Sequence, residues 1–224
     1  MGASRGERHL SAGGEFIHAN TRPLRHPLVP EIVLQLADAI TPIWQASEDS
    51  LAASGVEPPF WAFAWPGGAA TARYILDHRD AVRGRNVLDL AAGSGIAAIA
   101  AALAGAAAVT AAEIDPMARN AIALNARANK VTLTISEGDP LDAPAPADTL
   151  ILAGDVCYER KMAERVMVWL HAATRAGAEV WLADPGRNYL PKTGLKEMAR
   201  LEVPTSLELE DRDMRETVLY RLTG

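Results

Sequence analysis

Cysteine is almost absent from this 224-residue chain: with Cys157 alone, it forms neither an internal disulfide nor a cysteine-based zinc site. A reducing, cytoplasmic setting is expected. Long apolar runs are also missing. The longest uncharged apolar stretch, 96–112, is mostly alanine, contains Gly105 and Thr110, and falls short of the ~20 residues that a bilayer requires. It reads as a buried helix and strand. Positive charge is in deficit, 22 Lys and Arg against 28 Asp and Glu, and the net charge of -6 argues against a polyanion-binding face, so nucleic acid is not an expected partner. The opening MGASRGERHLSAGGEF carries charges and glycines where an export signal has an apolar core, and Glu7 and Glu15 count against an organelle transit peptide. His9, His18, His26, His78 and His171 show no paired metal spacing, so no metal site is expected, and no internal repeat is visible.

What is present, 49% hydrophobic residues over 224 positions, suffices for one well-packed core but is short for two. From residue 85 onward, strand-length apolar runs at 86–90, 107–113, 131–136, 149–154 and 179–183 alternate with helix-length segments at 96–104, 116–129 and 160–175. That alternation predicts an α/β fold with a mostly parallel sheet wrapped by helices. The pattern then changes. Segments 201–210 and 216–222, separated by the charged run DRDMR, predict an antiparallel pair closing the sheet edge. The proline-rich stretch 139–148 reads as a loop rather than a domain linker. Ahead of this core, 29–44 places Ile32, Leu36, Ala39 and Ile40 at helical spacing, interrupted by Pro42. The chain therefore divides into a partly helical N-terminal extension, 1–60, and a catalytic domain, 61–224.

Chemistry concentrates in VLDLAAGSGIAA, residues 87–98. Gly93 and Gly95 fall in the turn between a predicted strand and a predicted helix, where the backbone can approach a ligand that any Cβ would exclude. Gly93, Gly95 and Ala98 match the G-x-G-x-x-[GA] dinucleotide fingerprint, and Glu113 lies where an acidic residue would meet a ribose diol, so a nicotinamide-dependent oxidoreductase is a real rival. Charge favours S-adenosylmethionine instead. Asp89, four residues before Gly93, would repel a pyrophosphate but suits a ligand with an ammonium and a sulfonium. Asp139, in EGDP after the third strand, is placed to meet an adenine amino group, or else is a solvated turn residue. Asp89, Gly93, Glu113, Asp139 and Asp155 are thus expected to converge at the carboxyl edge of the sheet.

Asp89 through Gly95, EIDP, and DVCY after the fourth strand resemble the seven-strand S-adenosylmethionine-dependent methyltransferases. More narrowly, ANTRPLRHPLVPEIVLQLADAITPIWQ, PFWAFAWPGGAATARYILD and GDVCYERKMAERV are similar to the bacterial branch of the electron transfer flavoprotein β-subunit lysine methyltransferases, over nearly the whole chain from about Phe16. The resemblance implies a Rossmann-like seven-stranded sheet, S-adenosylmethionine as methyl donor with S-adenosylhomocysteine as product, and a protein substrate, the flavoprotein β-subunit. A ribosomal protein or a small amine such as nicotinamide are alternative acceptors, and a catalytically silent binding module is a further alternative. Neither a membrane nor a permanent oligomer is implied. Asp155 and Tyr158, the ends of D-x-x-Y, fall at the lysine site; Trp65, Asp89, Ala91, Gly93, Ser94, Gly95, Glu113 and Asp139 fall at the cofactor. Ala91 stands where many members place the first loop glycine, and only slight tightening is expected there. Asp155 is read as aiming the incoming amine, since an aspartate of ordinary pKa is a weak base; alternatively it caps the helix starting near Arg160. Tyr158 would wall the channel. Trp61 is assigned to packing more than to the cofactor, Trp169 and Trp181 to packing, and Cys157 to the core. His18 and Asn20 are expected to face substrate or cover the cofactor.

Overall fold

The computed structural model describes residues 12–37, 59–206 and 210–223. A short helix, α1 (Ala12–Asn20), is followed by an antiparallel hairpin of β1 (Arg22–His26) and β2 (Val29–Leu36). The strand at 29–36 corrects the helix expected over 29–44. Ile32 and Leu36 satisfy a helical spacing, but the buried apolar residues are Val29, Ile32, Leu34 and Leu36, and β-branched Val29, Ile32 and Val33 favour extended backbone. Tertiary pairing completes the choice, because two asparagines of a later helix bond to the free edge of β2. The rest of that expected helix lies outside the described residues.

The main body runs α2 (Pro66–Asp77), β3 (Asn86–Leu90), α3 (Ile96–Leu103), β4 (Ala108–Ala112), α4 (Pro116–Ala128), β5 (Thr134–Ser136), β6 (Thr149–Gly154), α5 (Arg160–Arg175), β7 (Glu179–Asp184), β8 (Leu195–Pro204) and β9 (Met214–Leu222). The seven strands order as β5-β4-β3-β6-β7-β9-β8. The first five are parallel, and β9 and β8 join antiparallel at the edge, as the change of pattern after residue 183 predicts, but β8 corrects the strand expected at 201–210, since the ladder with β9 begins at Leu195 and ends at Pro204. β5 is shorter than expected because Val131 N–H closes the end of α4 on the Ala126 carbonyl, with Lys130 at φ +57°, so the ladder starts only at Thr134.

Each helix starts for a local reason. Pro116 occupies the first turn of α4 behind Asp115, whose carboxylate accepts the Met117 N–H at 2.8 Å. Glu159 caps α5 through the Lys161 and Met162 N–H groups. Along the parallel strands alternate residues feed opposite layers. Val87, Leu150, Leu152 and Trp181 pack under α2 and α3, while Leu88, Ile151, Val180 and Leu182 pack under Val166 and Leu170 of α5. Ile151 and Leu152 are both fully buried, each stabilising the fold by about 1.5–3 kcal/mol relative to exposure.

Asn125 of α4 and Asn129, the residue that caps the C-terminal end of α4, lie one turn apart and fasten the N-terminal hairpin to this body. The Asn129 amide brackets Val33, accepting its N–H at 2.9 Å and donating to its carbonyl at 2.6 Å. Asn125, fully buried, accepts the Gln35 N–H at 2.7 Å. His26 ties the hairpin to β8, with Nδ1 accepting the Leu28 N–H and Nε2 placed 3.0 Å from the Pro204 carbonyl. No helix among the described residues is long and apolar enough to cross a membrane.

Candidate active site

Strand order reverses at β3: β4 and β5 lie on one side of it, and β6 follows on the other. In open α/β sheets a crevice forms at the carboxyl ends of the strands flanking such a switch. Here it is a cavity of about 700 Å³ that gathers Trp65, Asp89, Ala91, Gly93, Ser94, Glu113, Asp139, Asp155 and Tyr158. Of the residues assigned by motif to the cofactor and the lysine site, all but Gly95 line it directly. Gly95 is the residue before α3, at φ +78°.

Asp89 is the penultimate residue of β3 and is buried, its Oδ2 accepting the Ala98 N–H at 2.9 Å in the first turn of α3. Burial raises its pKa to about 7, against the pull of that N–H and with a push from Glu113. Gly93 takes φ +52°, and a Cβ there would meet nothing within 4 Å, so the turn opens toward space that a ligand can fill. Glu113, just past β4, accepts the Gly93 N–H at 3.0 Å through Oε2 and the Asp115 N–H at 3.2 Å through Oε1. It therefore holds the glycine turn. Ala91 has φ +54°. The expectation of slight tightening at this position is corrected: an alanine here carries the left-handed penalty of roughly 1–2 kcal/mol that glycine escapes.

Asp139 is half-buried and engaged from two sides. Its Oδ1 caps a short turn through the Leu141 N–H at 2.9 Å, and its Oδ2 pairs with Arg165 of α5, which also holds Asp142 at 2.6 Å. It is thus more than a solvated turn residue. Arg165 was not legible in the sequence as a site residue, being 26 positions away.

Asp155 follows β6 at φ +55°, strained for a residue with a Cβ. It does cap a helix, but not α5: Oδ2 accepts the Gly67 N–H at 2.6 Å and the Gly68 N–H at 3.2 Å, at the start of α2. The glycines permit this contact, since a Cβ on Gly67 would lie 2.6 Å from both Asp155 Oδ2 and the Ala183 carbonyl. The other oxygen, Oδ1, lies 3.4 Å from Nη2 of Arg187. Burial raises the Asp155 pKa to about 7; Arg187 opposes the rise and Asp184 adds to it. The carboxylate is therefore a better proton acceptor near neutral pH than an aspartate of ordinary pKa.

Aromatic side chains wall the mouth. Phe60 stands 5.8 Å, centroid to centroid, from both Trp65 and the half-exposed Tyr158, and Trp65 Nε1 donates to the Phe60 carbonyl at 2.8 Å. Trp61 is buried against Ile17 and Ala118 and also reaches the cavity wall. Trp169 and Trp181 pack in the core, and Cys157 is fully buried with its thiol pushed up to about 12, chiefly by burial. His18 and Asn20 lie on α1 and do not line the cavity, and the Asn20 amide turns back to the Phe16 carbonyl. Sequence reasoning missed Arg187. The Asp184-Pro185-Gly186 turn that presents it was the available signal: Asp184 Oδ1 accepts the Gly186 and Arg187 N–H groups at 2.7 and 2.6 Å.

Similarity to known proteins follows the same geography. The ribosomal protein L11 methyltransferase (PrmA) family matches residues 67–154, from the start of α2 to the end of β6. The electron transfer flavoprotein beta subunit lysine methyltransferase of Danio rerio is 33% identical over 96% of this chain and 87% of its own length. Its Homo sapiens counterpart is 38% identical over 77% of this chain and 66% of its own. In fold, the chain is similar to the ribosomal protein L11 methylase of Lactobacillus delbrueckii subsp. bulgaricus, with a TM-score of 0.51 at 19% identity over 72% of this chain and 81% of the other.

Proposed function

The chain belongs to the electron transfer flavoprotein β-subunit lysine methyltransferase family, and from that premise we propose that it transfers methyl groups from S-adenosylmethionine to lysine amines of the flavoprotein β-subunit. One observation carries the reading: Asp89, Gly93, Glu113 and Asp155 come from three strand ends to line a single cavity. The residues fit the donor. A volume of about 700 Å³ accommodates a nucleoside with an amino-acid tail, the carboxylates suit its cationic groups, and the Cβ-free turn at Gly93 leaves room for close approach. A pyrophosphate would meet the same carboxylates unfavourably, which disfavours the nicotinamide dinucleotide.

When bound among Asp89, the Gly93 turn and Glu113, S-adenosylmethionine would supply an electrophilic methyl group on its sulfur for the lone pair of the acceptor amine. The protein's part is positioning. Asp89 places negative charge behind the glycine turn, and Glu113 locks that turn and presents a carboxylate toward ribose hydroxyls. Trp65, Phe60 and Tyr158 narrow the entrance to a slender side chain. Asp155, anchored by two N–H groups through Oδ2, aims the acceptor amine with Oδ1. Freeing a lysine amine of its proton at pH 7 costs about 4–5 kcal/mol from a reference pKa of ~10.4. A carboxylate with a pKa near 7 can share that proton before it passes to solvent.

The ribosomal protein L11 methyltransferase family model matches residues 67–154, which hold most of the donor side of the site, whereas the likeness to the Danio rerio lysine methyltransferase covers 96% of the chain and so reaches the N-terminal hairpin and the segment carrying Tyr158 and Arg187. The acceptor is accordingly the flavoprotein β-subunit. A reducing, cytoplasmic location belongs to this reading, since a single cysteine leaves no internal disulfide to form. Incubating the protein with labelled S-adenosylmethionine and a mixture of purified β-subunit and purified ribosomal protein L11, then mapping label by mass spectrometry, should find it on lysine of the β-subunit. Label on ribosomal protein L11 alone, or on no protein, would overturn the assignment.

A further inference from the structure

Asp155 poses a problem that the lysine reading does not answer by itself. A buried carboxylate beside an incoming ammonium favours the charged, unreactive form of the acceptor. The structure offers a counterweight across the cavity wall. Arg187 lies in the loop after β7, its backbone pinned by Asp184 Oδ1 and its guanidinium within 3.4 Å of Asp155 Oδ1. The same guanidinium grips buried Glu210, with Nη1 3.1 Å from Oε2, and Glu210 in turn takes Nε of Arg215 at 3.0 Å. Asp155, Arg187, Glu210 and Arg215 thus alternate in sign and sum to zero when ionised.

We infer that Arg187 is a positioning residue for methyl transfer, which occupies the charge of Asp155 so that the acceptor lysine, once its proton has left, is held as the neutral amine. The inference rests on the lysine methyltransferase reading and adds a role to it. With Arg187 in place, an ammonium gains little from a carboxylate already partnered and is repelled by a fixed cation alongside. Asp155 Oδ1 can still accept a hydrogen bond from a neutral amine. Remove the guanidinium charge and the arriving ammonium takes over from Arg187 as the cation that holds Asp155 ionised, and the pair so formed traps the lysine in its protonated form.

Several other groups surround this spot, and none is altered in the test below. Asp184 sits behind Arg187 with its pKa raised by burial. Cys157 is buried next to both aspartates, with its thiol pushed up to about 12. On the remaining walls stand Asp89, Glu113, Asp115 and Asp139 toward the glycine turn, and Lys161 and Arg165 on α5; Tyr158 is at the mouth.

The test compares wild type, Arg187→Gln and Arg187→Lys on the purified β-subunit between pH 6 and 10. Calorimetric binding of the β-subunit to enzyme loaded with S-adenosylhomocysteine gives Kd, and single-turnover transfer gives the rate. The expected result for Arg187→Gln is opposed movement at pH 7: tighter binding of the lysine substrate, a rate at least about ten-fold lower, and a pH midpoint raised by about one unit. Arg187→Lys, which keeps the charge, should restore the midpoint. If Arg187→Gln lowers the rate equally at every pH, or weakens binding and rate together, Arg187 is merely structural and the inference is wrong. Should Arg187→Gln fail to fold, an Arg187→Lys midpoint displaced upward by a full unit overturns it equally. Wild-type enzyme that transfers no methyl group to the β-subunit would instead refute the underlying reading.

Discussion

The Asn125 side-chain amide donates to the Ser94 carbonyl at 2.9 Å, joining the middle of α4 to the glycine turn. Its oxygen accepts the Gln35 N–H, so a single fully buried side chain links the N-terminal hairpin to the cofactor loop. Truncating it leaves a buried donor and a buried acceptor without partners, each costing about 1–3 kcal/mol. Asn125→Ala should therefore lower stability by about 2–6 kcal/mol in urea denaturation and weaken S-adenosylmethionine binding in the same protein. Unchanged cofactor affinity would show that the linkage does not reach the loop.

Ala91 supplies a prediction of the opposite sign. Its φ of +54° carries a penalty that glycine lacks, partly offset because glycine gives the unfolded chain about 0.4–1 kcal/mol more entropy to lose. Ala91→Gly should be stabilising by up to about 1 kcal/mol with full activity, readable as a small rise in Tm.

Gly67 should tolerate nothing larger. A Cβ there would lie 2.6 Å from the Ala183 carbonyl and from Asp155 Oδ2, both held by surrounding structure. Gly67→Ala is expected to push Asp155 off the α2 N-terminus and to abolish detectable transfer, with stability reduced by about 1–3 kcal/mol as for overpacking. Activity assays and a melting curve check both parts.

The glycine turn was legible in the sequence because a strand, two glycines and an acidic residue twenty positions on are local in the chain. The five parallel strands were legible for a similar reason, as both faces are covered and the apolar runs are nearly continuous. What stayed hidden depends on tertiary contact. β2 shows a helical spacing at Ile32 and Leu36, and only its pairing with β1 and the α4 asparagines makes it extended. Asp155 meets Gly67 across 88 positions and Arg187 across 32, so neither its anchoring nor its raised pKa is written near residue 155.

Asp89 makes stability depend on pH in a defined direction. Its folded pKa of about 7 exceeds the 3.8 of an ordinary aspartate, so between roughly pH 4 and 7 the folded state binds a proton that the unfolded chain does not. Its contribution is full below pH 4 and is lost as pH rises through 7. Asp89→Asn should flatten the fall in urea midpoint over that window. Cofactor affinity should run the other way in wild type, weakening as pH falls below 7, because the ionised carboxylate is the form that favours a cationic ligand.

The most direct measurement is single-turnover methyl transfer by Asp155→Asn preloaded with S-adenosylmethionine, alongside calorimetric binding of the donor. The amide can still accept from the Gly67 N–H but carries no charge to aim or share a proton with the acceptor amine. Expected is donor affinity within about three-fold of wild type and transfer slowed by about 100-fold or more. Transfer to the β-subunit at the wild-type rate would contradict the role given to Asp155.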